Sequence, residues 1–170
     1  MAVRIVDETS QHHADVARLL CAAFDGGAEA QLVEDLRNGG HIACALVAED
    51  ERCAVIGHIV FSHLAADIGG RVVPAVGLAP LAVAAACRRK GIGAALVEAG
   101  LARCRQQGTA LAVVLGGAHY YGRFGFSVET AREFQCPYAG PHLQVAELST
   151  GALGCGEGRL SYAPPFDRLA

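Results

Sequence analysis

Between Leu78 and Leu115 the chain carries an order of segments that few folds accommodate. Leu78 to Cys87 (LAPLAVAAAC) is an apolar run of strand character. Arg88-Arg89-Lys90-Gly91-Ile92-Gly93-Ala94 is a short basic loop that opens a helix. From Gly91 to Gln107 the residues Ile92, Ala95, Leu96 and Ala99 fall on one stripe, and Gly108 is placed to stop the helix. Ala110 to Leu115 is wholly apolar, as a strand buried on both faces would be. Strand, helix and strand over this length form a βαβ unit with parallel strands. The loop at its first junction has its own chemistry. Two glycines two residues apart leave the backbone N–H groups of a helix start reachable, and three cations stand beside them. Such a site attracts a phosphate or pyrophosphate.

The flanking segments are consistent with a mixed α/β domain. Ala2 to Val6 reads as a first strand, and Asp15 to Phe24 as a helix stopped by Gly26-Gly27. Glu29 to Arg37 reads as a second helix with Leu32, Val33 and Leu36 inward, closed by Gly39-Gly40. Ala43 to Glu49 and Cys53 to His63 form a hairpin around Asp50-Glu51-Arg52, and Val72 to Val83 returns as a fourth strand. Pro80 cannot donate to a ladder, so that strand is expected to break near Ala79-Pro80, leaving its far end without one neighbour. Ala118 to Phe124 reads as one short helix. The Gly/Pro-rich tail holds strand candidates at Leu143–Leu148 and Gly158–Tyr162.

Bulk properties narrow the function. At 170 residues the expectation is one domain over 1–170, with a Gly/Pro-rich C-terminal extension from about residue 127. Hydrophobic residues make up 52% and charged residues 18%, which excludes a disordered chain. A formal net charge of −3 argues against a general nucleic-acid binder. No apolar run has the length of a membrane span, and MAVRIVDETS lacks a signal-peptide core, so the cytoplasm is the expected compartment and no membrane partner is expected. The seven cysteines (21, 44, 53, 87, 104, 136, 155) show no Cys-x-x-Cys pair and read as reduced, idle thiols; no metal is expected.

Two nucleotide motifs are excluded at the loop. No Gly-Lys-Ser/Thr is present, and Gly91-Ile92-Gly93-Ala94-Ala95-Leu96 lacks the third glycine of a dinucleotide fingerprint. Instead Arg88, Gly91 and Gly93, spaced R-x-x-G-x-G after an APLAV strand, resemble the acyl-CoA motif of the GNAT N-acetyltransferases. Tyr120-Tyr121-Gly122-Arg123-Phe124-Gly125-Phe126 resembles that family's second signature. Gly158-Arg159-Leu160-Ser161-Tyr162 with Pro164-Pro165-Phe166 is similar to its YhbS-like subgroup. The order of elements agrees along nearly the whole chain.

The resemblance implies the acyl-CoA N-acyltransferase fold, a central mixed sheet flanked by helices and splayed between its fourth and fifth strands. It implies acetyl-CoA as acyl donor, with the pantetheine arm along the backbone of Leu81 to Val83. It implies the pyrophosphate on the N–H groups of Arg89 to Ala94, with Leu81, Val83, Arg88, Arg89, Lys90, Gly91, Ile92, Gly93 and Ala94 as the cofactor contacts. It implies Tyr121 as the general acid and an amine of a small molecule or peptide as acceptor. Either a monomer or a homodimer is compatible. A thioester is already activated, so the protein has to align an amine with its carbonyl and handle protons. Many family members carry a Glu on the fourth strand; Val76 to Val83 contains no carboxylate. Water relayed to His119, Glu29 or His63 is one route for the proton, nothing in the sequence ranks the three, and no dedicated base is expected. A non-catalytic acyl-CoA-binding module is the alternative.

Other residues have plainer readings. Tyr120 reads as packing or pocket wall, and Arg123, Phe124 and Phe126 as structural, with Phe126 beginning the next strand. His12 and His13 read as a solvated helix start. His58 and His63, at odd separation on one strand, face opposite ways. Cys87 reads as idle. Asp25, Glu29 and Glu34 form an acidic group that would suit a cationic amine, or simply an exposed helix face.

Overall fold

In the computed structural model of the chain, residues 1–154 and 157–169 are described; Cys155 lies outside them. The order of elements is β1 (Arg4–Asp7), α1 (His13–Ala23), α2 (Ala28–Asn38), β2 (Ile42–Glu49), β3 (Val55–Ile68), β4 (Arg71–Val83) and α3 (Ile92–Gln106). It continues with β5 (Leu111–Leu115), α4 (Ala118–Tyr121), α5 (Val128–Ala131), β6 (Phe134–Gln135), β7 (Leu143–Glu147) and β8 (Gly158–Ser161). Among the described residues the strands make one eight-stranded mixed sheet, ordered β1-β2-β3-β4-β5-β7, with β8 alongside β3 and β6 on β8. This is the mixed α/β architecture that the residue pattern implies.

The chain divides into two compact units, to both of which β3 and β4 contribute. The first comprises residues 1–61, 79–100 and 164–170. Here β1 pairs antiparallel with β2, from Arg4↔Glu49 to Asp7↔Leu46. Val16, Leu19 and Leu20 of α1 and Leu32, Val33 and Leu36 of α2 are buried, at the helical spacing that the sequence shows. Helix α3 lies close on β3: a Cβ at Gly57 would stand 2.9 Å from Leu96 and 3.1 Å from Ile92. A Cβ at Gly100 would stand 2.1 Å from the ring of the fully buried Phe61.

The second unit comprises residues 62–78 and 101–163. Its core gathers Leu64, Val73, Leu111, Val113, Phe134, Leu143, Val145 and Leu160. β5 pairs parallel with β4 from Ala75↔Leu111 to Leu78↔Val114, and antiparallel with β7. The apolar run 110–115 is thus a buried parallel partner, as its composition requires. The ladder to β5 ends at Leu78.

Three expectations are corrected. β4 does not break at Pro80: it runs unbroken from Arg71 to Val83, with the Ala79–Pro80 peptide bond cis. Phe126 is buried but begins no strand; Ser127 forms a single bridge to Val145 and then caps α5 through its side chain. The segment from Ala118 to Phe124 is α4 followed by a 3-10 turn at Gly122–Phe124. Among the described residues the six cysteines form no disulfide. No described helix is long and apolar enough to cross a membrane.

Candidate functional site

The end of β4 and the start of α3 place the basic loop. Leu81 and Val83 are half-buried and flank the buried Ala82. A 3-10 turn at Ala85–Cys87 follows, and then Arg88 in extended conformation (φ −65°, ψ 156°). Arg88 Nε donates to the Val83 carbonyl at 3.2 Å, which ties the loop back onto the strand end. Arg89 (φ 59°) and Gly91 (φ 81°) both adopt the left-handed region. Glycine is the residue that enters it without steric penalty, so the backbone reason for Gly91 is direct. Left-handed residues in a turn are a common element of backbone paths whose successive N–H groups can face one anion.

The helix start supplies the donors. The Ala95 N–H bonds to the Gly91 carbonyl at 3.0 Å. The N–H groups of Ile92, Gly93 and Ala94 come before the point at which an α-helix can accept them internally. They sit at the positive end of the α3 macrodipole. Ile92 is buried and packs on β3 beside Gly57, so these donors are held by the core rather than by a loose loop. Arg88, Arg89 and Lys90 are exposed, with their charge in solvent at the mouth. All of Leu81, Val83 and Arg88 to Ala94 therefore fall on one strand–turn–helix element of the first unit.

Tyr121 belongs to the second unit and ends α4. Its N–H and that of Tyr120 both bond to the Gly117 carbonyl at 3.1 Å. Its ring meets Tyr120 edge-on (4.9 Å between centroids) and Phe126 edge-on (5.8 Å). Burial pushes the phenol up to about 12, with a smaller push from the neighbouring Tyr120. Tyr120 is itself covered by the Arg123 guanidinium, 4.6 Å from the ring centroid. Tyr120 and Arg123 thus form a cation–π pair.

An ion cluster in the first unit escapes sequence reasoning. Glu8, its side chain 4% exposed, receives Arg37 at 2.5 Å, His13 at 3.4 Å and the Nε2 of the fully buried His58. Burial alone would push the Glu8 carboxyl up; the hydrogen bonds and charges of His58 and Arg37 outweigh it and hold it at about 2. His12 bonds to Glu49 at 3.2 Å. His12 and His13 are therefore tied to carboxylates, which corrects their reading as a solvated helix start. Glu8 and His58 lie fifty residues apart, and no local signal joins them. Among the candidate proton acceptors, His63 and His119 are exposed and Glu29 is half-buried. Glu34 is paired with Arg37 at 2.6 Å. No described group of three or more His, Cys, Asp or Glu side chains is arranged to hold a metal ion.

The family model of the acetyltransferase (GNAT) domain matches residues 4–128. The chain is 38% identical over 153 residues to the uncharacterized N-acetyltransferase YhbS of Escherichia coli (strain K12), covering 89% of this chain and 90% of that one. The chain belongs to the GNAT acetyltransferase family. Among solved structures of this family, YhbS from Escherichia coli in complex with CoA superposes with a TM-score of 0.90 at 35% identity, over 99% of this chain and 93% of that one. A GNAT family acetyltransferase from Brucella melitensis in complex with acetyl-CoA gives 0.80 at 30% identity, over 98% and 99%.

Proposed function

We propose that the protein moves an acetyl group from acetyl-CoA to a primary amine of a small molecule or peptide, by direct attack in a ternary complex. The observation that carries this reading is the helix mouth. Ile92, Gly93 and Ala94 offer N–H groups without internal acceptors, behind a left-handed Arg89 and Gly91, in a chain whose relatives are solved with CoA and with acetyl-CoA. In this reading those groups, with Arg88, Arg89 and Lys90, hold the pyrophosphate. The backbone of Leu81 and Val83 holds the pantetheine arm as an added strand would.

The chemistry follows from this placement. The neutral amine attacks the thioester carbonyl carbon, the carbon–sulfur bond breaks, and the amine proton leaves to water. Strand N–H groups beside the thioester stabilise charge as it develops on the carbonyl oxygen. Tyr121 offers its hydroxyl proton to the departing sulfur and recovers one from solvent, so the proton lost by the amine balances the one gained by the thiol. A phenol pushed up to about 12 is protonated throughout the working pH range, and the same shift weakens it as an acid toward the sulfur, so it hydrogen-bonds the sulfur as the bond breaks rather than standing ready as a strong acid. β4 supplies no carboxylate as base, so the amine has to arrive neutral or lose its proton to solvent.

The test is release of free CoA from acetyl-CoA with purified protein and a panel of amines, peptides and amine-bearing antibiotics. Release above the unaided hydrolysis of the thioester with at least one amine is expected, and none with any member contradicts the transfer reading. The missing β4 carboxylate favours one other reading, a non-catalytic acyl-CoA-binding module. That reading predicts CoA binding with no turnover in either the native protein or Tyr121→Phe.

A further inference from the structure

We infer that Gln144 is a positioning residue for Tyr121, acting through the Gly116 carbonyl. The inference rests on the reading of Tyr121 as the donor to the leaving sulfur. Gln144 lies on β7 opposite Val114 of β5, and its side chain is fully buried. Its Nε2 donates to the Gly116 carbonyl at 3.0 Å, just beyond the end of β5. The Gly116 N–H donates in turn to the His142 carbonyl at 3.0 Å. Both polar groups of the Gly116 backbone are thus anchored to the β7 side of the sheet.

Gly116 is also the floor under the Tyr121 ring. A Cβ there would stand 2.4 Å from Tyr121 Cε2 and 2.9 Å from Cδ2, closer than any side chain tolerates. The ring therefore lies against bare backbone, and the position of that backbone sets the position of the phenol. Two edge contacts, from Tyr120 and Phe126, complete the seat.

The other half of the Gln144 amide shows what the residue is for. Its Oε1 is buried and has no hydrogen-bond partner among the described residues. A leucine or methionine would fill the same volume without burying an unpartnered oxygen. An amide here makes sense for its donor, and among the described residues the acceptor it meets is the Gly116 carbonyl. Gln144, Gly116 and Tyr121 form a chain of contacts within one unit, and no short motif joins them in the sequence.

The test does not require the acceptor to be known. The four tyrosines are replaced biosynthetically by 3-fluorotyrosine, and Tyr121→Phe assigns the Tyr121 fluorine line. Gln144→Leu is expected to shift or broaden that line and leave those of Tyr138 and Tyr162 in place. Gln144→Met, of similar length and without a donor, serves if the leucine variant does not fold, and Gly116→Ala should displace the same line directly. A Tyr121 line that does not move in a folded Gln144 variant overturns the inference, as does an equal shift of all four lines.

Turnover then adds a second readout. Gln144→Leu should lower kcat about tenfold with CoA affinity within about twofold, and should add no further loss in the Tyr121→Phe background. The same loss in both backgrounds overturns the inference. If Tyr121→Phe turns over as fast as the native protein while the fluorine line still moves in Gln144→Leu, the positioning stands and the donor reading of Tyr121 falls.

Discussion

Replacing Gly91 by aspartate separates the fold from the ligand at one residue. Nothing stands within 4 Å of the position that its Cβ would occupy, so the side chain meets open space. The backbone angle, φ +81°, is the remaining structural obstacle. An L residue there costs about 1 kcal/mol, and aspartate is among the side chains that enter this region most readily. A domain of this size has roughly 5–15 kcal/mol of stability, so the variant folds, with Tm lower by about 2–4 °C. The ligand experiences a different effect. A carboxylate about 5 Å from a phosphate repels it by about 1 kcal/mol in water and about 3 kcal/mol at the effective dielectric of a protein surface. CoA affinity should therefore fall by roughly 5- to 150-fold. Gly91→Asn has the same backbone tolerance without the charge and should keep most of the affinity. Isothermal titration with CoA at two ionic strengths, beside thermal unfolding, measures both effects. Higher salt should narrow the gap between the Asp and Asn variants. A folded Gly91→Asp protein that binds CoA within twofold of the native affinity would refute the placement of pyrophosphate at this loop.

Three further outcomes follow from the geometry. Tyr121→Phe should retain CoA affinity and lower kcat by about 10²-fold; in the native protein, because burial holds the phenol at about 12, the alkaline pH profile should show no loss between pH 9 and 11 that is absent from Tyr121→Phe. Gly100→Ala drives a methyl group into the Phe61 ring and should destabilise by about 1–3 kcal/mol, read as a Tm drop of roughly 2–12 °C; an unchanged Tm would contradict the packing of α3 on β3. Glu8 has its carboxyl held below its ordinary value, so its stabilising contribution is present above about 4.5 and is lost as pH falls toward 2. Glu8→Gln should lower Tm at pH 6 and flatten its decline between pH 6 and 3, and equal slopes in the two proteins would refute the linkage.

What the chain reveals in advance depends on how local the cause is. Helix α3 and strand β5 follow from residue spacing alone, because their apolar patterns are continuous and glycine ends the helix at 108. The loop chemistry is visible for the same reason, since Arg88 to Ala94 are consecutive. The left-handed turn at Arg89 has no sequence sign, because nothing about an arginine announces it. Pro80 misleads in the other direction: a proline on a strand suggests a break, yet the strand accommodates it without interruption. Glu8 with His58, and Gln144 with Gly116, are contacts made by the sheet between distant residues. Each looks ordinary alone, and only the assembled fold gives it a partner.

The claim that bears most weight is that the first free N–H groups of α3 grip the diphosphate of CoA. Titrating the 15N-labelled protein with CoA reads those groups one by one. The amide resonances of Ile92, Gly93 and Ala94 should show the largest changes, saturating together, and inorganic pyrophosphate should move the same three. Saturable binding that leaves these three amides in place while others move would contradict it.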